Sequence, residues 1–330
     1  MKKKIKGIGG TDISAILGMN PYKTPLDVWL DKTGQGPPDE DDENKWWGRE
    51  MEPVLAKRYI KECEQKFGSP FDLVIPSPVM LPIRHKKIEC VVGSPDALWL
   101  PTFKEIKKPG IVTVESQGGV DFKTSGRPQD WGEPGTDDIP RHYHLQADWY
   151  MGLTGAAWWD VATLLMSFNR RFMIFRVTRD DDLIGYLQEE AEKFWKDHVL
   201  SGIPPDLDGS KSAGEYIKRK YPVEVGPMLA PTDTEILADI DRYRENRDQL
   251  KHLEQLVSMY ENRLKNFVGD CAGMEGGWGR ITWRKSKDSP TVDWKGLAIS
   301  FNPDLDQMNK FTSIKQGTRR WLPKFTKEED

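Results

Sequence analysis

A chain of 330 residues with 37% hydrophobic content and 13 tryptophans can bury a large core, and its formal net charge of −4 excludes a globally basic nucleic-acid binder. A nucleic-acid partner therefore has to be held by a local basic surface or through metal ions. Three cysteines, Cys63, Cys90 and Cys271, lie far apart without C-x-x-C spacing, which excludes a disulfide framework and a zinc site and fits a reducing, cytoplasmic compartment.

In chain order, the opening MKKKIK has no apolar run behind it of the kind a secretory leader needs. Residues 11–18 (TDISAILG) and 24–34 (TPLDVWLDKTG) are expected to be short helices, each closed by a glycine. Acidic GQGPPDEDDEN is expected as a loop before a helix from about Trp46 to Phe67. Pro53 is tolerable only in a first turn, which places Glu52 near the start of that helix. Alternating apolar residues predict strands near 72–82, 87–92, 97–100 and 111–123. A Gly, Pro and Asp-rich loop (125–138) leads to a helix over 139–153. WDVATLLMSF and FMIFRVTR then read as strands, and 180–200 as a helix. No window is apolar enough to span a membrane; the most apolar, GAAWWDVATLLMSF, contains Asp160. This order predicts an α/β (α+β) fold, a central mixed sheet flanked by helices.

SGIPPDLDGSKSAG marks a domain edge, so residues 1–205 are expected to form the core, 206–231 a linker and 232–330 an accessory region. Thr232 to Phe267 has no glycine or proline. Thr232 with Glu235 fits a capping box, and Gly269 supplies the stop. Leu250, Leu253, Val257, Tyr260, Leu264 and Phe267 form one apolar stripe on this helix of roughly 50 Å, expected to pack on the protein's own body. WGRITWRKSKDSPTVDWKGLA is expected as a small hairpin carrying Trp283 and Trp294, followed by a basic tail.

Four places carry polar residues where the pattern wants apolar ones. In GGVDFKTS, Asp121 and Lys123 share one face of a strand while Val120 and Phe122 pin the other to a core. Alone, this is an ion pair. Glu52 falls on one helical stripe with Gly48, Leu55 and Tyr59; alone, it is a capping carboxylate. Asp96 opens the strand after a G-S-P turn; alone, it is a turn residue. Gln146 is the only amide in the stripe Ile139, Tyr143, Gln146, Tyr150 and Leu153, and a buried amide must have a polar partner. Together the four suit metal-assisted phosphodiester hydrolysis. Carboxylates hold Mg²⁺, and a lysine orients the attacking water or offsets transition-state charge.

Pro95-Asp96 followed by Asp121-Phe122-Lys123 matches the PD-(D/E)XK nuclease pattern. With GIGGTDISAILGMNPY (7–22), GREMEP (48–53), SPDALW (94–99) and YHLQADWYMGLTG (143–155) in that order, the chain resembles the YqaJ-like viral recombinases, the lambda-type phage alkaline exonucleases, over about residues 7–205. The resemblance implies a restriction-endonuclease-like core in which Glu52, Asp96, Asp121, Lys123 and Gln146 are catalytic. Asp96, Asp121 and the backbone carbonyl of Phe122 would ligate Mg²⁺, with Mn²⁺ as a substitute and Glu52 as a further candidate ligand. Lys123 would position the water, Gln146 would support the site, and Thr11 and Ser14 would hold a DNA 5′-phosphate. It further implies a 5′→3′ exonuclease on double-stranded DNA that releases 5′-mononucleotides. The remaining 3′ strand would pass to a phage single-strand annealing protein, for homologous recombination in the host cytoplasm. The enzyme is expected as a ring-shaped homo-oligomer, a trimer. Two departures stand out. The family commonly has Glu at the place of Asp121, and a rival pair, Glu105 and Lys107, sits in KEIKKPG, which reads as a hairpin tip. An endonuclease of the same superfamily, and a non-catalytic DNA-binding or assembly protein keeping the fold, are the alternatives.

Overall fold

The computed structural model describes residues 7–37, 42–67, 73–75, 82–99, 102–105, 112–166, 171–301, 304–313 and 317. The chain divides into two compact units, Met1–Ile217 and Lys218–Asp330. The first opens with α1 (Gly10–Ile16) and α2 (Pro25–Thr33). Thr24 and Asp27 cap α2 reciprocally: the Thr24 hydroxyl accepts from the Asp27 N–H (3.2 Å) and the Asp27 carboxylate from the Thr24 N–H (2.9 Å).

Next comes α3 (Glu43–Phe67), which starts earlier than expected and runs straight through Pro53. Glu52 is therefore inside the helix and not near its start. The missing N–H is tolerated because Leu55, Ala56, Tyr59 and Cys63 bury one stripe of α3 against the sheet, and that packing outweighs one lost hydrogen bond.

The strands follow as β1 (Leu73–Val74), β2 (Ile83–Arg84), β3 (Val92–Gly93), β4 (Ala97–Trp99), β5 (Thr102–Glu105), β6 (Val112–Glu115) and β7 (Gly118–Ser125). Then come α4 (Arg141–Thr154), β8 (Trp158–Leu165), β9 (Arg171–Thr178), α5 (Asp181–Phe194) with a π-helical turn Trp195–Leu200, and α6 (Lys211–Lys220). Among the described residues β1, β4, β7, β8 and β9 form a five-stranded sheet in that order, with β7 and β8 parallel and the other pairs antiparallel. A four-stranded sheet, β3-β2-β6-β5, stands beside it. The mixed sheet flanked by helices is the architecture expected from the sequence.

The strand expected over 111–123 is two strands in two sheets. The chain breaks at Ser116, whose hydroxyl donates to the carbonyls of Trp99 (2.7 Å) and Gly118 (2.6 Å). Most of the strand expected over 72–82 lies outside the described residues. Parallel pairing of β7 with β8 requires a crossover, which α4 supplies. Where the two strands meet they are closer than side chains allow. A Cβ on Gly118 or Gly119 would stand 2.3 or 2.2 Å from the rings of Trp158 and Trp159. One face of the sheet packs Val120, Phe122 and Ala162 under α3. The other packs Val161 and Phe175 into the main core with Leu145 and Trp149 of α4.

The first unit continues past residue 205 because α6 buries Ala213 and Tyr216 in its core, Tyr216 lying edge-on to Trp29 at 5.9 Å. In the second unit α7 (Thr234–Val268) is capped by Asp233, not Thr232. The Asp233 carboxylate accepts from the N–H groups of Glu235 (2.8 Å) and Ile236 (3.3 Å). Its stripe from Leu250 to Phe267 is 41 to 81% exposed and not packed away as expected. The hairpin is β10 (Gly273–Gly276) with β11 (Gly279–Thr282), ahead of the place expected. Trp283 follows it, while Trp294 opens α8 (Trp294–Ser300), which precedes α9 (Leu305–Lys310). Among the described residues no helix is long and apolar enough to cross a membrane.

Candidate active site

The pleat of β7 sorts its side chains by parity. Val120 and Phe122 enter the cluster under α3, and Asp121 and Lys123 point to the α4 face. Asp121 is 2% exposed, its Oδ2 3.8 Å from the Lys123 ammonium. β4 stops at the pairing of Ala97 with Val120, so beyond Val120 that edge of β7 has no strand beside it among the described residues. Asp96, at the bend leading into β4, fills the gap: its Oδ2 accepts the Phe122 N–H at 2.8 Å. A strand residue sends its own N–H and C=O to the same edge, so the Phe122 carbonyl faces the Asp96 side as well.

The electrostatics follow from burial. Asp121 is pushed up to about 7, first by burial and then by the carboxylates of Asp96 and Glu52, against the pull of Lys123. Asp96 is raised by burial, opposed by Lys123 and the Phe122 N–H. Burial would lower Lys123, but Asp121 and Asp96 outweigh it and hold the ammonium above its ordinary value. A buried carboxylate, Asp121, and a half-buried one, Asp96, thus share one lysine. Oδ1 of Asp121 is buried and accepts no hydrogen bond among the described residues. Such an orphaned anionic oxygen is costly unless a cation meets it, and hard carboxylate and carbonyl oxygens are the donor set of Mg²⁺. The residues present therefore fit a divalent metal. Among the described residues no group of three or more Asp, Glu, His or Cys forms a ready-made cage, so backbone and water would complete the shell.

Gln146 is 5% exposed on α4. Its amide donates to the Tyr150 hydroxyl (3.2 Å), which donates to the Ser94 carbonyl (3.3 Å), two residues before Asp96. The polar partner demanded by the sequence is thus a tyrosine one turn along the same helix. Burial, then the charge of Asp121, lift that tyrosine well above its ordinary value. Gln146 reaches the centre through Tyr150. Glu52 is exposed, not inward-facing like Leu55 and Tyr59, and its charge is felt by Asp121 and Lys123 from the rim.

The α1 pair divides. Thr11 is exposed, but Ser14 is fully buried, its hydroxyl donating to the Thr11 carbonyl (3.2 Å) and accepting from the Asn20 amide (3.0 Å). Ser14 is therefore spent on holding the following turn. Of the rival pair, Lys107 lies outside the described residues and Glu105 is placed only by its pairing with Val112 across the β5–β6 hairpin.

Sequence reasoning missed Tyr150, counted as apolar although its hydroxyl is the polar link. It also missed Asp12, a buried carboxylate 2.6 Å from both Lys23 and Lys32. Those two lysines overcome burial and keep it below the ordinary carboxylate range. A charge pattern D-x₁₀-K carries no local signal for such a contact.

Residues 1–157 match the family model of the YqaJ-like viral recombinase domain. The protein YqaJ of Bacillus subtilis (strain 168) is 26% identical over 313 residues, covering 94% of this chain and 90% of its own, so the match extends into the second unit. Among solved structures, the alkaline exonuclease LHK-Exo of Laribacter hongkongensis is 19% identical over 66% of this chain and 94% of its own, with a TM-score of 0.43. A phage-related exonuclease of Haemophilus somnus 129PT is 14% identical over 59% and 96%, with a TM-score of 0.35. The part of the chain that is similar to the YqaJ-like viral recombinase domain, residues 1–157, holds the whole carboxylate–lysine centre of Asp96, Asp121 and Lys123.

Proposed function

We propose that this protein is a divalent-metal-dependent deoxyribonuclease that resects double-stranded DNA from an end. It works 5′→3′, releases 5′-mononucleotides and leaves a 3′ strand for a phage-type annealing protein. One observation carries the hydrolytic reading: Asp96 and Asp121 are enclosed together at an open strand edge beside Lys123, with Oδ1 of Asp121 lacking a donor. Asp96, Asp121 and the Phe122 carbonyl would hold the metal, Mg²⁺ or in its place Mn²⁺, with Glu52 at the rim as a further candidate ligand. When bound, the cation polarises the scissile phosphate and acidifies the attacking water. Lys123 stays protonated between its two carboxylates and donates to that water or to a phosphate oxygen, so its charge meets the charge that develops. Gln146 fixes the Tyr150 hydroxyl, which in turn holds the Ser94 carbonyl and the approach to Asp96.

The resecting direction, a trimeric ring, Thr11 as a 5′-phosphate contact and an accessory role of residues 232–330 in subunit contact extend this reading from the recombinase family. Linear duplex with 5′-phosphate or 5′-hydroxyl ends, run against closed circles in Mg²⁺, tests it. Linear DNA should shorten and circles persist; cut circles beside intact ends would establish an endonuclease instead. Lys123→Ala should keep metal-free DNA binding while losing hydrolysis by about 10²–10³-fold or more. Unchanged hydrolysis would move the site elsewhere.

A further inference from the structure

A file of rings leads from Lys123 to the surface, and the chemistry above uses none of it. The Tyr143 ring centroid lies 5.4 Å from the Lys123 ammonium. His142 stacks on Tyr143 at 4.0 Å between centroids, tilted by 45°. Tyr22 meets His142 edge-on at 5.9 Å and 84°. From behind, Trp131 supports Tyr143 at 5.6 Å and is itself buried against Phe175 at 5.1 Å. The inner rings are thus anchored in the core, whereas Tyr22 is 73% exposed.

Tyr22 is nevertheless held in place. Its N–H donates to the Asn20 side-chain oxygen (2.9 Å), and the Asn20 amide donates to buried Ser14 (3.0 Å). The ring therefore projects from a braced turn, and its position costs little further ordering when a ligand arrives. Nε2 of His142 is enclosed with no partner among the described residues. Burial, then the nearby Lys123, lower the basicity of that imidazole, which leaves it a neutral ring at physiological pH. A neutral imidazole between two phenols offers π faces and no charge. This arrangement suits a nucleobase and gives no purchase to a phosphate.

The geometry points to Tyr22, backed by His142 and Tyr143, as a stacking platform for an unpaired base at the DNA end whose backbone lies at Lys123. Every base has a π face, so such a platform is indifferent to sequence, as an enzyme that consumes a strand progressively requires. The inference rests on the nuclease reading and adds its contact to the bases.

The test uses the full chain in EDTA, with duplex ends carrying 2-aminopurine at the terminal nucleotide. The wild type should quench the probe on binding. Tyr22→Ala should lose the quench and weaken end binding by about 5- to 150-fold, and with Mg²⁺ should raise KM far more than it lowers kcat. Tyr22→Phe and Tyr22→Trp should retain both, since stacking needs the ring and not the hydroxyl. Full quenching and unchanged affinity in Tyr22→Ala, or wild-type behaviour in Tyr22→Leu, would overturn the platform. Absence of hydrolysis by the wild type on any DNA would instead sink the nuclease reading, so the two failures are separable.

Discussion

The helices α4 and α7 carry the same kind of stripe and meet opposite fates. On α4, Ile139 just before it, Gln146, Tyr150 and Leu153 are all at most 8% exposed. On α7, Leu250, Leu253, Val257, Tyr260, Leu264 and Phe267 are at least 41% exposed. Periodicity establishes that a helix has one apolar face; what covers that face depends on connectivity. α4 is the crossover between two parallel strands, so forming the β7–β8 ladder returns it to the sheet. α7 joins no pair of strands that must meet. The contrast also leaves α4 with polar groups, Gln146 and Tyr150, enclosed against the sheet, whereas the α7 stripe stays exposed.

Aspartate placed on each helix is the strongest way to break the comparison. Leu145→Asp should unfold the first unit, costing about 4 kcal/mol or more. Leu253→Asp should leave the folded unit within about 0.5 kcal/mol. Urea melts followed by tryptophan fluorescence decide, and equal losses would mean that the α7 stripe is covered after all.

Asp121→Asn probes the cost of burying charge on the α4 face. The folded-state value of Asp121 lies above its unfolded value, so the metal-free protein loses stability from this group as pH rises from about 4 through about 7. At pH 8 the asparagine variant should melt a few degrees higher than the wild type without metal. Mg²⁺ should then raise the wild-type Tm and fail to raise that of the variant. Hydrolysis by the wild type should climb with pH through about 7, as proton release frees the carboxylate for the metal. A metal-independent Tm difference, or a profile falling over that range, would contradict this.

At Gln146 the effect is expected mainly on stability. Replacing it with Ala removes the donor to Tyr150 and should cost about 1–3 kcal/mol of stability, with a modest loss of rate. Gln146→Glu at pH 8, which places a third carboxylate by Asp121, should be worse than Ala.

What was legible in the sequence was local. The alternation of β7 put Asp121 and Lys123 on one face because a period of two holds wherever a strand forms. The stripe of α4 was readable from the 3.6-residue period that holds wherever a helix forms. The meeting of Asp96 with the Phe122 N–H was not, since it depends on the β4–β7 register and on β4 ending at Ala97. Pro53 misled because its local penalty is real but smaller than the packing of the α3 stripe, and Glu52 was turned outward with it. Tyr150 was hidden because one side chain supplies both an apolar ring and the polar link. Ser14 looked available because its hydroxyl is polar, while Asn20, six residues on, had already claimed it.

Two indoles resting on the bare backbone of Gly118 and Gly119 tie the acid centre to packing two and three residues before Asp121. A single methyl there has no room unless the indoles move or β7 and β8 part, and β7 is the strand that carries Asp121. On the proposed nuclease reading, damage at those glycines would present as lost turnover with every acid intact, and a screen scored on turnover would mistake a spacing fault for a chemical one.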